Sequence, residues 1–200
     1  MTPDRHVLFV FFVVVYVLVS STAARAQGRF EAGAQIVVAH SGEFDANDTG
    51  VGARFSWRPV DLVGVEAEMN AYPREFPRPR AFSRSRVEGL FGMTIGPRLG
   101  RVRPFAKLRP GFVRFRGEPI ACILIFPPPL SCTLAAGRTV FAIDVGGGVE
   151  LSAGSRTFIR IDAGDRLMRY PGPSFTSGRV VQDHFFSHDS RVSAGAGARF

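Results

Sequence analysis

The sequence has little of what metal centres are made from, and it lacks helical patterning. Its 200 residues include two cysteines, four histidines and one tryptophan, and Lys107 is the only lysine. Structural zinc sites use four cysteine or histidine ligands, so we expect no bound metal, and we expect no cofactor. No segment beyond the N-terminal region repeats its apolar residues at the 3.6-residue period of an amphipathic helix. A helical bundle is therefore excluded.

Long apolar runs are also missing, apart from one near the N-terminus. Val7–Val19 is an apolar run of about 13 residues, shorter than the roughly 18 to 20 that a membrane-spanning helix needs. Arg5 precedes this run, and "AARA" supplies an Ala-x-Ala cleavage site before Gln27. We expect residues 1–26 to be a cleaved signal peptide and residues 27–200 to be one exported domain.

The chain carries an excess of positive charge, with a formal net charge of +8 at pH 7. Export removes nucleic acid from the expected partners. A basic protein outside the cytoplasm meets anionic lipids and the phosphates of lipopolysaccharide instead. Outer-membrane lipids and lipopolysaccharide are therefore the predicted partners.

What the chain has in abundance is alternation with a period of two. In "RFEAGAQIVV", "VGARFSW", "LVGVEAEMNAY", "RVEGLFGMTIG", "TVFAIDVGGGVEL" and "TFIRIDAGD", apolar residues alternate with glycines or polar residues. This pattern indicates strands with one apolar and one polar face. With "RPFAKLRPGFVRFR" and the terminal "RVSAGAGARF", these segments predict eight strands.

One of these segments breaks the pattern. In "RPFAKLRPGFVRFR" the apolar positions change phase after Pro110-Gly111. A β-bulge at this pair would explain such a slip.

The connections between the predicted strands alternate in length. Short connections are expected at 58–61, 97–102 and 152–155, and long ones at 39–49, 73–84, 117–138 and 167–188. Short periplasmic turns and longer outer loops are typical of outer-membrane barrels. The predicted fold class is therefore all-β: an eight-stranded antiparallel up-and-down transmembrane β-barrel in the outer membrane.

Alternation alone does not say which face lies inside, and a soluble lipocalin-like ligand-binding barrel alternates in the same way. Balanced charges on the polar face favour a lumen filled by paired side chains, and aromatics at the strand ends favour membrane girdles. The predicted lumen charge network is Arg54, Glu66, Glu68, Arg86, Glu88, Lys107, Arg109, Asp144, Glu150, Arg160 and Asp162. The predicted girdles are Phe30, Trp57, Phe105 and Phe200 at the turn end, and Tyr72, Phe115 and Tyr170 at the loop end.

The signal peptide, the eight strands, "DVGGGVEL" and the terminal "RVSAGAGARF" resemble bacterial outer-membrane barrel domains of the OmpA/OmpX-like type. The resemblance implies that the last strand is the signal read by the barrel-assembly machinery. The residues concerned are Val192, Ala194, Ala196, Ala198 and Phe200. Anchoring of Phe200 in the membrane interface is the alternative role. No peptidoglycan-binding domain follows the barrel, so tethering to the cell wall is not expected.

The two cysteines lie in a predicted outer loop. "ACILIFPPPLSC" places Cys122 and Cys132 symmetrically about Pro127. We predict a disulfide between them, which the exported compartment permits. The apolar segment that it closes would either plug the barrel mouth or contact a partner.

A second predicted outer loop is rich in arginine. "YPREFPRPRAFSRSR" contains five arginines and one acidic residue. Guanidinium groups bind phosphates bidentately, so this loop could bind lipopolysaccharide. An ordinary solvated loop is the alternative.

His188 and Ser190 are two residues apart on a predicted strand and share one face. Lipid A deacylases of the outer membrane use a His-x-Ser pair with a carboxylate. This sequence lacks the asparagine and glycine that follow the pair in those enzymes, and Asp183 and Asp45 are only guesses for the acid. We therefore expect no enzyme activity.

A channel is also not expected, because side chains fill an eight-stranded lumen. The predicted function is a non-enzymatic outer-membrane barrel with a structural or surface-interaction role. An extracellular protein or surface is a further potential partner. The alternatives are a lipid A-modifying hydrolase using His188 and Ser190, and the lipocalin-like binder.

Overall fold

The structure is a computed structural model that describes residues 29–42, 46–73, 85–116, 137–171, 174–176, 179–181 and 184–200. The strands are β1 (Phe30–Ser41), β2 (Ala46–Trp57), β3 (Val63–Tyr72), β4 (Arg86–Ile95), β5 (Val102–Phe115), β6 (Thr139–Ser152), β7 (Thr157–Tyr170), β8 (Ser174–Thr176), β9 (Arg179–Val181) and β10 (Phe185–Arg199). Within these ranges, no helix is long and apolar enough to cross a membrane. The predicted signal peptide, residues 1–26, lies outside the described residues.

Eight of the strands form a closed antiparallel barrel in the order β1-β10-β7-β6-β5-β4-β3-β2. The ends of the sheet meet where Phe30 and Phe200 exchange backbone hydrogen bonds of 3.2 and 2.9 Å. A row of paired residues that starts at Asn47 on β2 and passes once around the barrel returns to β2 at Trp57. This stagger of the strands is ten positions. Eight strands with this stagger tilt by about 40° to the barrel axis. The predicted eight-stranded antiparallel barrel is confirmed.

The two faces of the strands are sorted as the alternation predicts. On β1, Glu31, Gln35 and Ser41 are buried, whereas Ile36 and Val38 are exposed. The interior therefore holds the polar face, and the apolar face points outward. A soluble lipocalin-like barrel has the opposite arrangement, with its apolar face inside.

The predicted bulge at Pro110-Gly111 is wrong. The pairing of β5 with β6 runs through Arg109↔Asp144, Pro110↔Ile143 and Gly111↔Ala142 without a break. The pairs of β5 with β4 keep one register on both sides of Pro110. Val113 and Phe115 point inward in phase with Arg109. The polarity of the lumen changes at this level, and the phase of the strand does not.

The predicted aromatic girdles are correct for three residues and wrong for four. Phe30, Trp57 and Phe200 are exposed at the turn end. Tyr72, Phe105, Phe115 and Tyr170 are buried inside the barrel. Among the described residues, the aromatic side chains that face outward near the loop end are Phe112, Phe141 and Phe186. Extending the alternation of each strand to its loop end gives this assignment.

The connections also differ in part from the prediction. β1 and β2 continue to Ser41 and from Ala46, so only residues 42–45 separate them. The expected long connection at 39–49 is therefore a short one. Within the connection between β7 and β10, β8 and β9 form a separate two-stranded sheet. At the turn end, Leu99 and Val102 form a tight hairpin that uses Gly100 at a φ of +64°.

Candidate functional site

The candidate site is the barrel interior, which is filled by charged side chains over most of its length. The structure places all eleven predicted lumen residues inside the barrel, each at most 5% exposed. They come from six strands, β2 to β7. Charges buried at this density must be paired with one another, because an unpaired ion in a low-dielectric interior is strongly destabilising.

Arg109 on β5 lies at the centre of this network. Its Nη1 donates to Glu66 Oε1 at 2.5 Å and to Glu68 Oε2 at 2.6 Å. Its Nε donates to Asp144 Oδ2 at 2.9 Å. One guanidinium therefore connects β3, β5 and β6 across the lumen.

A second group of charges lies beside Arg109. Arg160 on β7 donates to Glu66 Oε2 at 2.5 Å and to Asp162 Oδ2 at 3.1 Å. Lys107 pairs with Asp144 at 3.1 Å and also contacts Asp162. Arg54 donates to Gln35 Oε1 at 3.0 Å and lies 3.5 Å from Asp162. The groups of opposite sign thus alternate around the barrel axis.

A third group of charges, which the sequence does not predict, lies closer to the loop end. Arg166 pairs with Asp189 at 2.7 Å and contacts Glu88. Arg191 lies 3.3 Å from Glu88 and contacts Glu68. The alternation of β7 and β10, continued past Gly164 and back from Ser193, would have placed these residues inside.

Two neutral amides complete the hydrogen bonding between the carboxylates. Asn70 donates to Glu68 Oε1 at 2.7 Å and to Glu88 Oε1 at 2.8 Å, and Gln35 donates to Asn70 Oδ1 at 2.8 Å. Gly52 makes room for this arrangement, since a Cβ at that position would lie 1.9 Å from Asn70 Oδ1.

Near its loop end the lumen contains an apolar cluster. This cluster is formed by buried residues of β5, β6 and β7: Val113, Phe115, Val140, Ala142, Met168 and Tyr170. Arg86 lies apart from the central network, where it pairs with Asp48 at 2.8 Å and covers the ring of Tyr72. Arg86 is therefore separate from the central cluster of predicted residues.

The turn end of the lumen is closed by a smaller square of charges. Arg58 Nη2 lies 2.6 Å from Glu31 and 2.9 Å from Glu150. Arg199 lies 2.9 Å from Glu31 and also contacts Glu150. Of these four residues, only Glu150 was predicted.

A separate polar group lies on the outward face, near the loop end. His188 Nδ1 lies 2.6 Å from Asp165 Oδ2. Ser190 is paired in register with Asp165 on one side and with His40 on the other. Asp165 was missed as a candidate acid, although the phase of β7 places this carboxylate among outward apolar residues.

Several predicted sites lie outside the described residues. These include Cys122 and Cys132, the two guessed acids Asp183 and Asp45, and the loop arginines 74–84. Among the residues that the structure describes, no three potential metal-ligating side chains form a cluster. Of the predicted assembly signal, Val192, Ala194, Ala196 and Phe200 are exposed on the outward face, and Ala198 is half-buried.

No family model matches the chain, and no curated protein matches it. Solved structures do. Neisserial surface protein A is 15% identical, with a TM-score of 0.51, over 86% of this chain and 96% of that one. The N-terminal barrel domain of Pseudomonas aeruginosa OprF is 9% identical, with a TM-score of 0.52, over 87% and 100%. The Pseudomonas aeruginosa outer-membrane protein OprG is 14% identical, with a TM-score of 0.50, over 86% and 94%.

These similarities concern the fold, and the surface of the chain agrees with them. A barrel with paired charges inside and an apolar exterior is stable only where lipid surrounds it. The chain therefore folds as an eight-stranded β-barrel of the outer membrane, the architecture that the OmpA/OmpX-like resemblance implies.

Proposed function

We propose that this protein is a non-enzymatic outer-membrane barrel with a structural or surface-interaction role and a closed lumen. The observation that carries the proposal is the set of ion pairs centred on Arg109, which joins opposite walls of the barrel. Side chains that meet across the axis leave no continuous water path of the kind that wider porins have.

Planar-bilayer recordings test the closed lumen. The reconstituted full chain should give no stable conductance steps at potentials up to about 100 mV. A general diffusion porin in the same bilayers is the positive control. Reproducible open-channel currents from the purified chain would overturn the proposal.

The outward face suggests how the barrel contacts lipopolysaccharide. Arg169 is exposed and paired with both Phe141 and Phe186, and Arg114 follows Phe112 on β5. Arginines level with or just beyond an aromatic belt can extend their guanidinium groups to the depth of lipid phosphates. We therefore assign Arg114 and Arg169 to phosphate contacts in the outer leaflet.

Thermal unfolding in bilayers tests this assignment. Lipopolysaccharide should raise the unfolding temperature of the wild type more than that of the Arg114→Gln/Arg169→Gln variant. Arg29→Gln/Arg98→Gln removes the same charge at the turn end and should respond like the wild type. Equal responses of all three proteins would remove these arginines from the proposed contact.

The predicted role of the last strand remains a proposal. Assembly in cells should fall when Phe200 is replaced by serine, while refolding into detergent should continue. Phe30→Ser is the matched control, because it removes an exposed turn-end phenylalanine that lies outside the last strand. Normal membrane assembly of Phe200→Ser would count against a signal read by the assembly machinery.

A second candidate function is hydrolysis of ester-linked acyl chains in the outer leaflet. It is favoured by one observation, the contact of 2.6 Å between His188 and Asp165 on the face that carries Ser190. A histidine that donates its Nδ1 proton to a carboxylate has its Nε2 lone pair available to accept the proton of a serine hydroxyl. The sequence had supplied no acid for this role.

Incubation with an ester lipid decides between the two candidate functions. Fatty acid release by the wild type that is lost in Ser190→Ala and reduced in Asp165→Asn would establish the hydrolase. If the wild type and Ser190→Ala release fatty acid equally, the hydrolase is excluded and the non-enzymatic role stands. Thr49→Ala is a control on the same outward face.

A further inference from the structure

The turn end of the barrel contains a cavity whose lining is rich in arginine. Its volume is about 520 Å³, within the range of small-molecule binding sites. The arginines that line it are Arg29, Arg58, Arg98, Arg103 and Arg199. They come from the N-terminal end of the barrel, the turns after β2 and β4, the start of β5 and the end of β10.

The charges at the floor of this cavity neutralise one another. Arg58 and Arg199 each contact both Glu31 and Glu150. Two guanidinium groups therefore face two carboxylates. This square needs no further anion.

The remaining charges are not balanced. Arg103 is buried and donates only to backbone carbonyls, to Gly96 O at 3.2 Å and to Asp61 O at 2.8 Å. Among the described residues, no ion pair involves Arg29, Arg98 or Arg103. Among the described residues of the lining, Asp61 is the only other acidic one, so a charge of about +2 remains above the floor.

We propose that this turn-end cavity binds a small dianion that carries phosphate or carboxylate groups. Three arginines from three separate segments converge on one concave space, and guanidinium groups bind both kinds of oxyanion through paired hydrogen bonds. Two unbalanced positive charges match a doubly charged ligand. Because the turns of such barrels face the periplasm, the ligand enters from that side.

Calorimetric titration of the refolded full chain in phosphatidylcholine bilayers tests the proposal. Inorganic phosphate and succinate are the two dianion probes, and acetate at equal ionic strength is the monoanion control. One of the dianions should bind saturably and displace any weaker binding of acetate. Which dianion binds identifies the oxyanion class. No saturable binding of either, or acetate binding as tightly as both, would overturn the proposal.

Two charge-matched variants locate the site. Arg29→Gln/Arg98→Gln changes two exposed residues, so the barrel should still form. Its formation is checked by the change in gel mobility that a folded barrel shows on boiling. Its affinity for the dianion should fall by roughly tenfold or more, the usual effect of removing charge-assisted hydrogen bonds. Arg114→Gln/Arg169→Gln makes the same change at the loop end and should bind like the wild type. An equal loss in both variants would mean non-specific attraction and would contradict the proposal.

A phospholipid headgroup could supply the same phosphate chemistry. Adding phosphatidylglycerol to the bilayers distinguishes the two sources. Unchanged affinity for the soluble dianion supports a ligand from the periplasm. Loss of its binding in the presence of phosphatidylglycerol would assign the cavity to the lipid and overturn the soluble ligand.

Discussion

At its centre the lumen is crossed by the ion pairs around Arg109, whereas near its loop end it holds an apolar cluster of Val113, Phe115, Met168 and their neighbours. Both regions are enclosed by the same strands, and the inward phase of β5 runs through both. The charged region joins opposite walls through directional contacts, and the apolar region packs without them. An inward-facing position therefore does not determine polarity by itself. The neighbouring side chains decide it, since Arg86 lies beside Asp48 near the loop end, whereas Phe158 is buried near the turn end.

The largest expected effect comes from breaking the charged region at its centre. Arg109→Met leaves Glu66, Glu68 and Asp144 with one positive partner fewer. The free energy of unfolding should therefore fall by about 3–5 kcal/mol. Glu66→Gln should have a similar effect, because it leaves Arg109 and Arg160 underneutralised. Urea unfolding in lipid vesicles measures both. Arg114→Met, on the outward face of the same strand, should change the stability by only about 0.5 kcal/mol. Unchanged midpoints for both lumen variants would contradict a network that holds the barrel together.

The next effect tests the apolar region. Met168 is fully buried in the loop-end cluster. Met168→Ala should lower the free energy of unfolding by about 2–3 kcal/mol, because it leaves a cavity. Met69, which faces outward, is the control, because lipid fills the space after Met69→Ala. Equal losses for the two methionines would show that the loop end of the lumen is loosely packed.

A smaller effect is expected where the charged region is most crowded. Gly52→Ala places a Cβ against Asn70 and should cost about 1–3 kcal/mol. In an Asn70→Ala background the same substitution should cost less, because the clashing amide is gone and only the contact of 2.6 Å with the backbone oxygen of Met69 remains. Gly154→Ala, in an exposed turn, serves as the reference in the same urea series. Additive losses in the double variant would argue against this steric cause.

The smallest effect is expected at the boundary between the two regions. Pro110 faces outward in an unbroken register and lacks a backbone donor. Pro110→Val should therefore raise the stability slightly, by about 0.5–1 kcal/mol. The same urea titration measures this change. A loss of more than about 1 kcal/mol would mean that the strand requires a proline at this position.

Much of the fold could be predicted from the sequence, because alternation is a local property. Phe55 and Arg54 are neighbours in the chain, and strand geometry alone sends them to opposite faces. Even so, Tyr72, Phe115 and Tyr170 were assigned to the membrane because they are aromatic, although the phase of their own strands points them inward. Arg166 and Asp189 lie just outside the predicted strand segments, so the sequence does not assign them to the lumen.

The contacts of the candidate sites could not be predicted in the same way. Arg109 meets Glu66 across 43 positions of sequence, and Arg191 meets Glu68 across 123. Which side chains meet depends on how far each strand is shifted against the next. A shift of two residues would keep every side chain on its face of the barrel and would change every partner. The contact between Asp165 and His188 likewise depends on the register of β7 against β10.

By itself, the sequence determined that the chain forms strands, that they have one polar and one apolar face, and that charges of opposite sign lie on the polar face. These properties follow from the side-chain order, which strand geometry converts directly into faces. Only the tertiary structure decided which charges meet, where the lumen becomes apolar and which arginines remain unbalanced at the turn end. Closure with a stagger of ten residues sets those neighbours, and closure is a property of all eight strands together.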